Sequence, residues 1–100
     1  MIVFISGPIA GVPDYKEKFQ AAADILIAQG HTVVNPANMD AVIDGELSYG
    51  KILDFDLALL AQCDAICLLP GWQHSKGAKG ERVRAKELRL VEMEGVDRAE

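Results

Sequence analysis

Apolar positions along the chain follow two alternating rhythms. Residues 2–5 (IVFI), 32–34 (TVV) and 65–69 (AICLL) are short and almost wholly apolar, the form of strands covered on both faces. Between the first two, Tyr15, Phe19, Ala22, Ala23, Leu26 and Ile27 recur at helical spacing, and Gly30 supplies a stop. Asp14 with Glu17 three residues on, just after Pro13, has the form of an N-terminal capping pair. A second helix is predicted over residues 49–62. A third is predicted over 77–88, entered through the glycine-bearing loop 71–77. Residues 89–93 read as a fourth strand. Residues 37–50 are irregular and carry two glycines, which predicts a lid or a partly helical excursion.

Strands alternating with helices imply right-handed crossovers and a parallel sheet. The expected architecture is a single three-layer α/β domain, flavodoxin- or Rossmann-like, with about four parallel strands and helices on both faces. On such a sheet, ligands collect beyond the carboxyl ends of the strands. Three segments converge there: residues 6–11, Asn35 with the loop after it, and residues 70–81.

Two carboxylates break the helical pattern. Ala78, Ala85 and Leu88 define the core-facing stripe of the third helix, and Glu81 lies on it. In the second helix Ile52, Phe55, Leu59, Leu60 and Cys63 form the apolar face. Asp56 falls inside that stripe, whereas Asp54 points away. A carboxylate on a core face costs several kcal/mol unless it is paired or hydrogen-bonded. Either each one caps or pairs something buried, or the two form a carboxylate pair at the rim of a pocket, as in glycosidic bond chemistry. Periodicity leaves both open. The loop 71–77 feeds the helix that carries Glu81, and its N–H groups and the Ser75 hydroxyl suit a phosphate or sugar hydroxyls. Trp72 either stacks on a base or shields this loop. His74 is an alternative base in the same loop, His31 falls in a turn, and Asp64 reads as the cap of the turn before the third strand.

Composition narrows the setting. One hundred residues make one domain with a high surface-to-volume ratio, so a homodimer or larger homo-oligomer is expected. The net charge of −5 argues against a protein that grips a nucleic-acid backbone. Six of the ten basic residues nevertheless fall between Lys76 and Arg89. Of these, Lys79, Arg82, Lys86 and Arg89 read as a solvated helix face, with an anionic partner or a subunit contact as the alternative. Cys63 and Cys67 match neither a CxxC nor a metal spacing and sit in an apolar stretch, so both read as packing residues. The acidic tail 92–100 reads as frayed. No apolar run approaches the roughly 20 residues that span a membrane. Residues 1–5 run straight into a Gly-Pro break with no basic start. The expected setting is the cytoplasm.

With these segments placed, the chain resembles the nucleoside 2-deoxyribosyltransferase superfamily, above all its small members encoded by phages and bacteria. The resemblance covers most of the chain. It rests on Phe4-Ile5-Ser6-Gly7-Pro8-Ile9-Ala10-Gly11, on Asn35-Pro36-Ala37, on Asp56-Leu57-Ala58-Leu59-Leu60 through Asp64, and on Leu68-Leu69-Pro70-Gly71-Trp72 with Ser75-Lys76-Gly77-Ala78-Lys79-Gly80-Glu81. In that superfamily the glutamate of the Ser-x-Gly-x-x-x-Glu string is the nucleophile, and an aspartate eight residues before the pre-strand aspartate is catalytic. The resemblance puts those roles on Glu81 and Asp56. It implies substrate-binding positions at Phe4, Ser6, Gly7, Pro8, Ile9, Asn35, Trp72, Ser75 and Gly77. Related deoxynucleotide N-hydrolases hold a 5′-phosphate with a serine and an arginine of the first loop; the matching positions here are Pro8 and Ala10. A hydroxyl-bearing aromatic on the first strand is replaced by Phe4. Gly77-Ala78-Lys79-Gly80-Glu81 is also similar to the end of the glycine-rich loop of proteins that release cytokinin bases, with three extra residues after Pro70-Gly71.

The implied ligand is a nucleoside or nucleotide, and the implied reaction is cleavage or transfer at the N-glycosidic bond of a (2′-deoxy)nucleoside or nucleotide. No metal or organic cofactor is required. A non-catalytic nucleotide-sensing domain and a phage interaction protein are the alternatives. If the two acids carry a retaining displacement, their carboxyl groups should stand roughly 5–5.5 Å apart, against roughly 6.5–9.5 Å for an inverting pair. They should border one cavity with Ser6, Gly7 and Ser75, and neither Arg82 nor Lys51 should clamp them.

Overall fold

The computed structural model describes residues 1–39 and 56–94. Four strands, β1 (Ile2–Ser6), β2 (Thr32–Val34), β3 (Ala65–Leu68) and β4 (Val91–Glu94), form one sheet in the order β2-β1-β3-β4. All three pairings are parallel. Helix α1 (Tyr15–Ala28) joins β1 to β2, the helical residues 56–60 (α2) precede β3, and α3 (Lys76–Glu87) joins β3 to β4. The chain moves from β1 one way to β2, and then across to β3 on the other side. With right-handed crossovers, that reversal puts α1 on one face and α3 on the other.

Side-chain alternation along the strands follows from this layering. Val3 and Ile5 of β1, with Ala65, Cys67 and Leu69, pack against Phe19, Ala22, Ala23 and Leu26 of α1. Phe4, Ile66 and Leu68 face the other way, against Leu60 of α2, Cys63, and Ala85 of α3. The central strands are therefore buried on both faces, as their unbroken apolar runs require. Each such large side chain contributes roughly 1.5–3 kcal/mol of burial. Both cysteines are buried free thiols within these two clusters, and burial, then the charge of Asp64, pushes the Cys63 thiol up. Both pack in the core.

Several expectations shift in detail. Asp14 makes no side-chain cap on α1; it lies instead 3.8 Å from Lys18 in an exposed pair. The helix closes in a Schellman turn: Gly30 N–H donates to Ile27 and His31 N–H to Leu26, with Gly30 at φ 92°. Helix α3 closes in the same way, Arg89 N–H donating to Lys86 and Leu90 N–H to Ala85, but here a non-glycine, Arg89, takes the left-handed position at φ 60°. That turn delays β4 to Val91, so Arg89 and Leu90 are not strand and Glu92–Glu94 are not frayed tail. Helix α3 begins at Lys76 because the Ser75 hydroxyl accepts from Ala78 N–H at 3.2 Å. The segment 37–50, expected to be a lid or a partly helical excursion, opens with a 3₁₀ turn, Pro36–Met39; its remainder, the first part of the helix predicted over 49–62, and the tail beyond residue 94 lie outside the described residues. No helix among the described residues is long and apolar enough to cross a membrane.

At the amino edge of the sheet, Asp64 closes the β1–β3 pair. Its carboxylate accepts from Ile2 N–H at 2.9 Å and its own N–H donates to Ile2. At the opposite edge the chain must turn sharply. Leu69 N–H donates to Ser6 at 2.8 Å, and a Cβ on Gly7 would stand 2.9 Å from Leu69 Cβ. Gly7→Ala is therefore expected to lower stability by about 1–3 kcal/mol through overpacking. Gly80→Ala, on α3 with open space around it, should raise stability by up to about 1 kcal/mol. Denaturant midpoints of the two variants, measured at unchanged slope, check the pair.

Candidate active site

The order β2-β1-β3-β4 reverses direction at β1, and the carboxyl ends of β1 and β3 diverge there into separate loops. Such a switch point is where open α/β sheets hold their ligands. A cavity of about 570 Å³ opens at this place, within the size range of small-molecule pockets, roughly 300–1,000 Å³. One wall is apolar: Ile5 and Gly7 at the end of β1, Pro8, Ile9 and Ala10 of the first loop, Phe19 of α1, and Pro36 after β2. The facing wall is polar. It consists of Asp56 on α2, then His74, Ser75, Lys76 and Gly77 entering α3, with Ala78 and Glu81 on that helix.

Glu81 is 7% exposed, and Ser6 at 1% is the other buried polar residue among the described residues. They bond to each other: Ser6 Oγ donates to Glu81 Oε1 at 2.6 Å. Asp56 approaches Glu81 from α2 and shares a side-chain hydrogen bond with it. Three effects then compete. Burial drives the Glu81 carboxyl toward its neutral form, the Ser6 hydroxyl opposes this, and the charge of Asp56 and the hydrogen bond to it reinforce burial. The result lifts the pKa of Glu81 to about 8. Near neutral pH Glu81 keeps its proton and donates it toward Asp56.

Arg82 does not clamp the pair. Arg82, the next residue after Glu81, turns outward, donating to Glu92 at 3.0 Å with its guanidinium 4.7 Å from the centre of the Trp72 ring. The other residue expected as a clamp, Lys51, lies outside the described residues. Lys76 lines the cavity at the start of α3.

Of the positions that the resemblance implied, Glu81, Asp56, Gly7, Pro8, Ile9, Ser75 and Gly77 all border this one cavity. Ser6 does not line it but stands behind Glu81. Phe4 is not at the site: it lies two residues short of the strand end, fully buried against Leu60 and Ile66. Trp72 shields the loop rather than facing the cavity, packing on the same core cluster, with its indole N–H 3.4 Å from Glu94. Asn35 is turned into the backbone, its Oδ1 accepting from Ala37 N–H at 3.1 Å; its buried Nδ2 has no partner among the described residues. Pro36 lines the cavity in its place. Phe19 and Ile5 were legible only as core residues, because helical and strand periodicity cannot tell a core side chain from a pocket floor.

Fold and site together define a doubly wound α/β domain with a pair of carboxyl groups lining a cavity at its switch point. Residues 1–93 match the family described as a domain of unknown function, DUF4406, and the chain belongs to that family. No curated protein matches it.

The raised pKa has a consequence for stability. Below pH 4.5, Glu81 is protonated in both folded and unfolded chains and costs nothing. As pH rises from there to about 8, the unfolded chain releases the proton while the folded one retains it, and stability is lost. Glu81→Gln keeps the shape and an N–H donor for Asp56 without the titration. Its gain in Tm over the parent should be smallest below pH 4.5, grow through neutrality and level off above about pH 8. Melting curves across that range check it, and a gain independent of pH would contradict the assigned burial.

Proposed function

We propose that this domain cleaves or transfers the N-glycosidic bond of a nucleoside or nucleotide, with a 2′-deoxyribosyl group as the favoured sugar. The observation that carries the reading is the Glu81–Asp56 contact. Two acids from different helices line one cavity of nucleoside size, and burial together with Asp56 holds Glu81 toward its protonated form. The resemblance of Ser75-x-Gly77-x-x-x-Glu81 to the nucleophile string of the nucleoside 2-deoxyribosyltransferase superfamily supports the same assignment.

In the proposed reaction the proton of the pair passes from Glu81 to Asp56 across their hydrogen bond. Glu81 becomes the carboxylate nucleophile, still held by Ser6. One of its oxygens attacks the anomeric carbon while the bond from that carbon to the base nitrogen breaks. The bonding electrons leave with the base, and Asp56 supplies a proton to it. A glycosyl ester on Glu81 remains. Water gives hydrolysis, and a second base gives transfer. In either case Asp56 takes the proton from the incoming group, and Glu81 is released. The apolar wall formed by Ile5, Pro8, Ile9 and Phe19 suits the flat face of a base. The first loop offers no side-chain cation for a phosphate.

A thermal-shift screen with nucleosides and nucleotides finds the ligand, because binding to the folded state alone raises apparent stability. Incubation of hits followed by chromatography for free base tests the chemistry. Glu81→Gln should bind the same ligand and lose turnover by at least about a hundredfold, the scale of removing a reacting group. Turnover of the parent should fall above about pH 8, where the pair gives up its shared proton. Binding without release of base in the parent would refute the enzymatic reading and leave nucleotide sensing.

Self-association belongs to the same proposal. Ile27, Val83 and Val91 are each about half exposed, and a chain of 100 residues buries a smaller fraction of its surface alone than a larger domain does. Light scattering at high micromolar concentration should give a homodimer or larger. A monomer mass would remove this part.

A further inference from the structure

Beyond the two acids, the arrangement around Ser6 is unexplained by packing. Strand β1 is apolar from Ile2 to Ile5, and a hydroxyl at its end, 1% exposed, is unfavourable in a core unless it is bonded. Its backbone has little freedom. Ser6 is in register with Leu68 of β3, and its carbonyl accepts from Leu69 N–H at 2.8 Å. The strand places its side chain on the Phe4 face, toward α3, and there the hydroxyl reaches Glu81 Oε1 at 2.6 Å. Glu81 in turn sits on the second turn of a helix whose start is pinned by the Ser75 cap. Strand and helix are independently anchored, and the Ser6–Glu81 bond spans the gap between them.

We propose that Ser6 is the positioning residue of the pair: its hydroxyl ties Oε1 of Glu81 to the central strand and so reserves the other carboxyl oxygen for reaction. This rests on the reading of Glu81 as the nucleophile. A carboxylate with both oxygens loose would rotate about its terminal torsion, which is broad and roughly two-fold. The Ser6 bond removes that freedom before a substrate arrives, and it favours the anionic form that must attack. Among the described residues, the other titratable groups around Glu81 are Asp56 from α2 and, lining the same cavity, His74 and Lys76 from the segment entering α3. Each of these acts from the cavity side, whereas Ser6 acts from the sheet side.

The test needs no substrate. In protein carrying carbon-13 at glutamate side chains, the Glu81 carboxyl is assigned by its loss in Glu81→Gln and titrated by NMR. Ser6→Ala should raise the proton affinity of Glu81 roughly tenfold or more, the worth of one hydrogen bond to a charged group. Ser6→Cys keeps the shape with a weaker donor and should fall between Ser6→Ala and the parent, which also covers the case where the alanine variant does not fold. An unmoved or lowered titration midpoint in Ser6→Cys and in any folded Ser6→Ala would overturn the proposal, since a purely structural serine would leave it in place. Where base release is measurable, kcat should drop in both variants with KM little changed; a change confined to KM would equally overturn it. A shifted midpoint without any base release in the parent would leave the Ser6–Glu81 coupling intact and count against the glycosidic reading alone.

Discussion

Burying the Glu81 carboxyl between α3 and the end of β1 disfavours its charged form, and the surrounding groups are arranged to hold it there in a usable state. Burial alone would leave a neutral, inert acid. Ser6 pulls toward the anion from the sheet, while Asp56 pulls toward the neutral acid from α2. The balance keeps Glu81 protonated near neutral pH, the state from which the proposed reaction would start. Removing either neighbour would tip it: without Ser6 the anion loses a donor, and without Asp56 the neutral acid loses a group that favours it.

Geometry of this kind depends on the sheet. Parallel pairing of β1 with β3 brings Ser6 level with Leu68, so that the chain leaves both strands at the same height and the two loops open around one space. Crowding of Gly7 against Leu69 keeps those exits close. The right-handed crossovers put α1 under one wall of the cavity and α3 in the other. At the far edge, Asp64 locks the amino ends of the same two strands, so the strands are tied at one end and parted at the other.

The outer side of α3 carries a second polar arrangement that protects the first. Arg82 follows Glu81 directly and would neutralise a carboxylate within reach. Its guanidinium is instead held by Glu92 of β4 and by the Trp72 face, while the indole N–H points to Glu94. These exposed contacts are individually worth little to stability. Their larger effect is directional: they occupy the cation on the solvent side and fasten the 3₁₀ turn Trp72–His74 over the core.

What the sequence by itself determined was whatever follows from local periodicity. Unbroken apolar runs marked the central strands, because both faces of a parallel strand must be covered. Helical spacing set Glu81 and Asp56 apart as acids on core-facing stripes, and Gly30 announced the end of α1 because glycine readily takes a left-handed backbone. The same logic could not see Arg89 in that conformation, nor that Ser75 would displace the start of α3. It could not choose between Trp72 as a stacking platform and as a shield, or find Phe19 and Pro36 in the cavity wall. Those outcomes depend on which segments meet across the sheet. Ser6 and Glu81 are far apart in the chain, and only the β1–β3 register and the α3 crossover bring a hydroxyl at the end of one to within 2.6 Å of the carboxyl on the other. A residue's polarity is written in the sequence; whom it faces is decided by tertiary contact.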